Sequence, residues 1–387
     1  MKKILFTLML VPAFASAIDL DDEGTWKLTG FYNLTGAKVM SGSAQGSSAP
    51  WTYQKYNCPC TIQNWEYTGV YEKSKGWQFD QESLVGLQLK KEFSQTLSAT
   101  VQVVARSQNP NQGSKPTVDW AYLTWQPSAD SNWTFQAGRF RIPLYYYSDY
   151  LYIGYAYPWV RPAPDVYGWP VYSYNGANVS YRTQLGNSDW ATTVSVWAGN
   201  YTQGSDAYYS NIYNNSAPTS DAWKGILGGS ISVNNGIFDV RAMLMHHKET
   251  EIINDPVLGQ STPVNDASTT IMGLSANMDY KSWLIKTEID HFSQVDQTQG
   301  LNNVYKYALV GVGYNYKGFT PMYTYSRYRT VAQPIEGRDT QIFSLRWDVR
   351  KNMALKLQYD VSKDKSTYPY PFFGDNKLLS IAVQGVF

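Results

Sequence analysis

Three histidines and two cysteines are the residues of this 387-residue chain best suited to general-base, nucleophilic or metal chemistry, and their spacing does not favour its use. A histidine base needs a nucleophile within hydrogen-bond reach. His246, His247 and His291 neighbour no serine-nucleophile motif, and no Gly-x-Ser-x-Gly is present. Cys58 and Cys60 flank Pro59, and a bond between positions two apart would be strained. A local bridge, an intermolecular bridge and two free thiols all remain open. A metal site would need more ligands than this pair supplies, and no histidine lies near it. Gly228-Gly229 falls within a predicted strand, so it is no phosphate loop. Asp19, Asp21, Asp22 and Glu23 could hold a divalent cation, but a solvated terminus is the simpler reading. No catalytic residue, no metal and no cofactor are therefore expected, and the chain is not expected to be an enzyme.

The remaining chemistry is recognition. Residues 143–175 form a long connection crowded with Tyr145, Tyr146, Tyr147, Tyr150, Tyr152, Tyr155, Tyr157, Trp159, Tyr167 and Trp169. Pro158, Pro162, Pro164 and Pro170 stiffen it, so it is not a flexible Gly/Ser linker. So many rings in water would invite aggregation, and folding the loop inward removes that hazard. Arg139, Arg141 and Arg161 stand among the rings. Stacked arginines would suit an organic anion or a sugar-like solute. Equally, they would pin the loop to carboxylates on a wall, because buried arginine is usually paired.

The elements that position this loop are strands. Period-two alternation recurs along the chain, most clearly at Met353, Leu355, Leu357, Tyr359 and Val361 against Ala354, Lys356, Gln358, Asp360 and Ser362. Sixteen strands are predicted, at 25–38, 79–92, 96–107, 117–126, 132–142, 176–186, 189–200, 223–234, 236–247, 269–280, 282–293, 304–316, 318–328, 339–350, 353–362 and 376–387. Their connections alternate in length. Short ones fall at 93–95, 127–131, 187–188, 235, 281, 317 and 351–352. Long ones fall at 39–78, 108–116, 143–175, 201–222, 248–268, 294–303, 329–338 and 363–375. A soluble sandwich has no reason to sort its loops by parity, whereas an outer-membrane barrel does. Even strand number, both termini on the short-turn side and a terminal Phe387 agree with that reading. The fold class expected is all-β, a transmembrane antiparallel barrel wide enough for an aqueous channel.

Composition fits. Aromatics and charged residues are 16% each, the net charge is +1, and mean hydropathy is −0.39. A nucleic-acid binder would need a Lys/Arg excess, and a helical membrane protein would need long apolar runs. Neither is present beyond the N-terminus. There, Met1-Lys2-Lys3, the apolar Ile4–Phe14 and Ala15-Ser16-Ala17 read as a signal peptide over 1–17, ahead of one barrel domain over 18–387. Its loss takes two lysines and leaves a net charge of −1. Trp125, Trp133, Trp190, Trp283 and Trp347 fall near strand ends, where interfacial rings belong.

Assigning the polar parity of each strand to the interior gives Lys90, Arg106, Arg182, Arg241, Lys286, Arg346, Arg350 and Lys356 as positive wall residues. Glu82, Asp239, Glu288, Asp290, Asp348 and Asp360 are the negative ones. That mixture predicts weak ion selectivity at most.

The run Gly138–Tyr167, with its Gly-Arg, Ile-Pro, Tyr-Ser-Asp and Trp-x-Arg-Pro steps, resembles the third loop of 16-stranded Gram-negative porins. Loop parity, the leader and the terminal Phe match over the whole chain; only this run resembles at the level of motif. The resemblance implies a trimer in the outer membrane, in contact with its lipid and lipopolysaccharide, passing ions and small hydrophilic solutes. It also implies a constriction built from Arg139, Arg141, Tyr147, Asp149, Trp159, Arg161 and Asp165. One departure is plain. The family's loop usually carries an acidic cluster, and here it has only Asp149 and Asp165, so the family's transverse field does not carry over. A substrate-specific channel, and an adhesin or barrel enzyme built on the long first loop, are the competing expectations.

Overall fold

The fold was analysed in a computed structural model that describes residues 17–43, 56, 58–64, 66, 69–107, 116–169, 171–204, 219–255, 260–296, 300–331, 335–367 and 374–387. The expected leader lies outside the described residues, save Ala17.

Period-two sequence folds as strand because alternate side chains then meet two different environments. Sixteen such segments form a closed antiparallel barrel: β1 (Trp26–Gly42), β2 (Leu84–Glu92), β3 (Leu97–Arg106), β4 (Thr117–Trp125), β5 (Trp133–Arg141), β6 (Ser173–Gln184), β7 (Ala191–Gln203), β8 (Thr219–Asn234), β9 (Phe238–Asp255), β10 (Gln260–Tyr280), β11 (Trp283–Asp296), β12 (Leu301–Tyr314), β13 (Phe319–Thr330), β14 (Gly337–Arg350), β15 (Met353–Asp364) and β16 (Asn376–Val386). Each pairs with its chain neighbour, and β16 closes on β1 from Asn376 opposite Gly42 to Val386 opposite Phe31. All sixteen expected strands are present. Phe387 completes the seam: its backbone exchanges hydrogen bonds with Gly30, and its ring fills the space a Cβ would need at Gly30.

Three boundaries differ from expectation by more than four residues. The second strand starts at Leu84 rather than 79, because residues 79–83 bend and Ser83 bonds back to Thr35. The predicted loop 248–268 is mostly strand: β9 and β10 continue as a paired ladder to Asp255 and Gln260. That extension carries no apolar alternation, because beyond the bilayer there is no lipid to select for it. It also leaves His246 well inside β9 rather than near its end.

Burial is inverted relative to a soluble protein. Leu34, Leu87, Leu123, Val196, Leu227, Leu244, Leu274, Ile289, Val310, Phe343, Leu357 and Ile381 face outward and are exposed. Thr35, Gln102, Arg106, Glu288, Thr324, Ser326, Gln358 and Ser380 are buried inside. Water would not tolerate an apolar belt of that extent, and lipid requires it. Four of the five expected boundary tryptophans (Trp125, Trp133, Trp283 and Trp347) are exposed at the short-turn end. Two of them pack on neighbouring rings there, Trp133 tilted on Tyr181 at 4.7 Å and Trp283 edge-on to Tyr314 at 5.0 Å between centroids. Trp190, at the same end, is half-buried. At the N-terminus Asp21 accepts from the backbone of Thr25 and Trp26, so this carboxylate shapes a turn.

Candidate functional site: the interior loop and the polar passage beside it

The connection after β5 turns into the barrel, as its rings require. Its neck is closed by the Ile142 amide donating to the Tyr172 carbonyl at 2.7 Å. Irregular backbone at membrane depth is stable only where every polar group finds a partner. The wall supplies them. Arg241 donates to the carbonyls of Tyr145 and Pro143, at 2.8 and 2.7 Å. Glu288 accepts from the Tyr146 amide and the Tyr167 hydroxyl, both at 2.6 Å. Asn33 donates to Tyr152 and accepts from the Gly154 amide. The ammonium of Lys356 donates to the carbonyls of Gly154, Tyr157 and Trp159. Arg346 donates to those of Tyr155 and Tyr157. Gln358 and Gln384 clamp the amide and carbonyl of Val160, each at 2.8 Å.

The loop's rings form much of the interior's apolar core. Trp159 is fully buried and donates its indole N–H to Thr324 at 2.8 Å. Tyr147 meets it edge-on at 5.7 Å and meets Tyr146, Tyr150 and Tyr157 likewise. Trp169 packs on Phe292 and Trp223 of the wall.

The arginines divide. Arg161 is buried and ion-pairs with Glu82 and Asp360. Arg141 is buried between Asp119 and Glu66, with its guanidinium 4.2 Å from the Tyr152 ring. Both follow the pinning alternative. Asp165, fully buried, does the same in reverse, accepting from Ser326 and Arg338. Arg139 stays half-buried, its guanidinium 5.2 Å from the Tyr201 ring. Asp149 is half-buried in the turn Ser148–Tyr150, within the electrostatic reach of Arg241 and Arg141.

The first external loop also turns inward, which its sequence did not signal. Cys58 and Cys60 are joined as a disulfide. The hairpin Cys60–Asn64 with Gly69–Glu72 is buried. Tyr71 donates to Glu82 at 2.7 Å, Arg338 donates to the Ile62 carbonyl, and Glu66 accepts from Arg141 and from the Tyr152 hydroxyl. A cavity of about 40 Å³ remains between this hairpin, the inner loop and β1, lined in part by Asn33, Gln63, Tyr152, Arg161 and Gln384. The described part of this loop therefore does not project outward as an adhesin's would.

Beside the inner loop, the wall from β2 to β8 presents Gln88, Lys90, Thr124, Gln136, Asn178, Arg182, Ser195 and Ser230, all half-buried and polar. Gln102 bonds Gln88, and Gln136 bonds Thr124, so this face is ordered. Asp239, Arg241, Lys286, Arg346 and Asp348 are half-buried on the rest of the wall, while Arg106 is buried and stacks on Tyr152. Arg350, beyond a bulge at the short-turn end, is exposed. Sequence parity named only charged residues of this wall, and not Gln88, Thr124, Gln136, Asn178, Ser195 or Ser230. It did not mark Asn33, Asp119, Thr324, Ser326, Arg338, Gln358 or Gln384 as loop anchors; the signal was their polar type at inward positions.

The histidines do not assemble. His246 is on the outward face, within hydrogen-bond distance of Thr270 and Ser268. His247 lies flat on Trp223 inside, and His291 is half-buried.

No family model and no curated relative matches this sequence. Solved structures do. The trimer form of in-vitro folded OmpT, an outer membrane protein of Vibrio cholerae, is similar over 94% of this chain and 99% of its own, at 9% identity and a TM-score of 0.57. The anion-selective porin from Comamonas acidovorans is similar over 94% and 99%, at 11% identity and 0.55. OmpF of Salmonella typhi, in a complex with daunomycin, is similar over 96% and 100%, at 11% identity and 0.57. The chain has the fold of the outer-membrane porins.

Proposed function

We propose that this protein is an outer-membrane porin, exported by its leader, passing ions and small hydrophilic solutes by passive diffusion. One observation carries the reading. The inner loop is fastened to the wall from β9 round to β1, while the β2–β8 wall keeps a continuous row of half-buried polar side chains. A core would bury such a row among apolar partners; a water-filled passage leaves it wet. We place the narrowest part at the turn of Tyr146, Asp149 and Tyr150, with Arg139 on the strand that leads into the loop. Arg141, Tyr147, Trp159, Arg161 and Asp165 set its position from behind. No step of this transport needs a cofactor or a catalytic group. Wall charges of both signs, among them Asp239, Lys286 and Asp348, support weak selectivity.

Planar-bilayer recording tests the proposal. Stepwise ohmic conductance is expected, and no steps at any voltage would sink it. A homotrimer is proposed with it, supported by the OmpT trimer form; unboiled protein is expected to run on gels at three times the chain mass. A substrate-specific channel is the second reading, favoured by the Arg139 guanidinium 5.2 Å from the half-buried Tyr201 ring. Conductance block by a micromolar organic anion, lost in Arg139→Ala, would establish it.

A further inference from the structure

At the long-loop end, β8 and β9 place acidic side chains against one another on the inner face. Asp221 and Glu251 stand directly opposite in the ladder, and Glu249 pairs with Trp223 two positions along. Like charges directly opposite destabilise a sheet, and these are buried or half-buried. One oxygen from each of the three carboxylates lies within 4.8 Å of the others. Two oxygens each about 2.4 Å from one calcium ion can be at most about 4.8 Å apart, and the three meet that condition for sharing one ion.

His247 gives an independent sign. It is fully buried, and neither ring nitrogen hydrogen-bonds to any described residue. The ring is held flat on Trp223, 3.7 Å between centroids and 17° between planes. Its Nε2 points at Glu249, 3.7 Å from Oε2 and beyond hydrogen-bond reach. A buried imidazole without a partner costs free energy. An ion with its water beside Glu249 would give that nitrogen its partner, as outer ligands do around bound metals. Gln294 donates to Glu249 at 3.0 Å and sets that carboxylate's orientation.

We infer that Asp221, Glu249 and Glu251 bind one calcium-type divalent cation inside the outer mouth of the barrel, with His247 contacting its water shell. All-oxygen direct ligands favour a hard cation such as calcium. The ion ties β8 to β9 where the ladder leaves the membrane. This inference does not depend on what the channel passes.

The test uses the folded full chain, stripped with EDTA and titrated with calcium chloride. Calorimetry is expected to show one ion per chain, with a rise in Tm that follows its occupancy. Terbium should luminesce when tryptophan is excited, because Trp223 lies beside the site, and calcium should quench that signal by displacement. The double variant Asp221→Asn/Glu251→Gln should weaken calcium at least about 10-fold, and His247→Phe, which keeps the stack, should weaken it less. Absence of calcium-displaceable terbium luminescence in the wild-type chain overturns the site, even if the variants fail to fold. So does a double variant that binds like wild type, or zinc binding where calcium is silent.

Discussion

Arg161, deep in the inner loop, donates its Nε to both carboxylate oxygens of Glu82 at 2.6 and 2.8 Å, across 79 residues of chain. The two groups come from different external loops, and both are buried. Asp360 of β15 and Ser380 of β16 complete the guanidinium's partners. This pair locks the two inward loops to each other and to the seam side of the barrel.

Removing one partner of such a pair strands the rest. Arg161→Met should cost about 3–5 kcal/mol, because two carboxylates lose their cation in a buried place. Adding Glu82→Gln should recover part of that loss. Urea unfolding in detergent measures both, and an Arg161→Met protein as stable as wild type would contradict the locking role.

Gly154 touches the wall as only glycine can. A Cβ there would lie 2.3 Å from Gln384 Nε2 and 2.6 Å from Asn33 Oδ1. Those side chains already hold the carbonyls of Val160 and Tyr152. Gly154→Ala should force at least one bond to break, at about 1–3 kcal/mol. A lowered Tm and a noisier open-channel current are expected; wild-type values for both would show that the loop shifts without cost.

Lys356 spans three loop carbonyls with one ammonium. Lys356→Met keeps the stem and removes every donor. The segment 154–159 should then loosen from β15, raising single-channel conductance and admitting larger sugars in liposome swelling. An unchanged size limit would mean that Arg346 alone holds this stretch.

Neighbours on one strand should answer oppositely to charge. Ile289, the most exposed apolar residue of β11, faces lipid near mid-strand. Ile289→Arg should cost about 2–4 kcal/mol if it lies at the bilayer midplane. Asp290, its inward neighbour, should tolerate Asn with little loss of fold. Folding yields into vesicles compare the two, and equal penalties would mean the face assignment is wrong.

The barrel was legible in the sequence because its signals are local. A strand between lipid and water alternates within a few residues, and turn length follows the side of the membrane, so strand number, loop parity and the wall charges could all be read in order. The inner loop was legible too, since Tyr145 to Trp169 carry too many rings for water. What only the tertiary structure decided is who meets whom. Arg161 could have faced a solute or Glu82, and nothing near it in sequence distinguishes them. The Cys58–Cys60 hairpin reads as an outer loop, yet Tyr71 and Glu66 draw it inside. Gln384 and Asn33 look like ordinary wall residues until Gly154 arrives between them. These pairings depend on barrel closure and on the path of irregular chain through it, and those are long-range properties that period-two alternation does not encode.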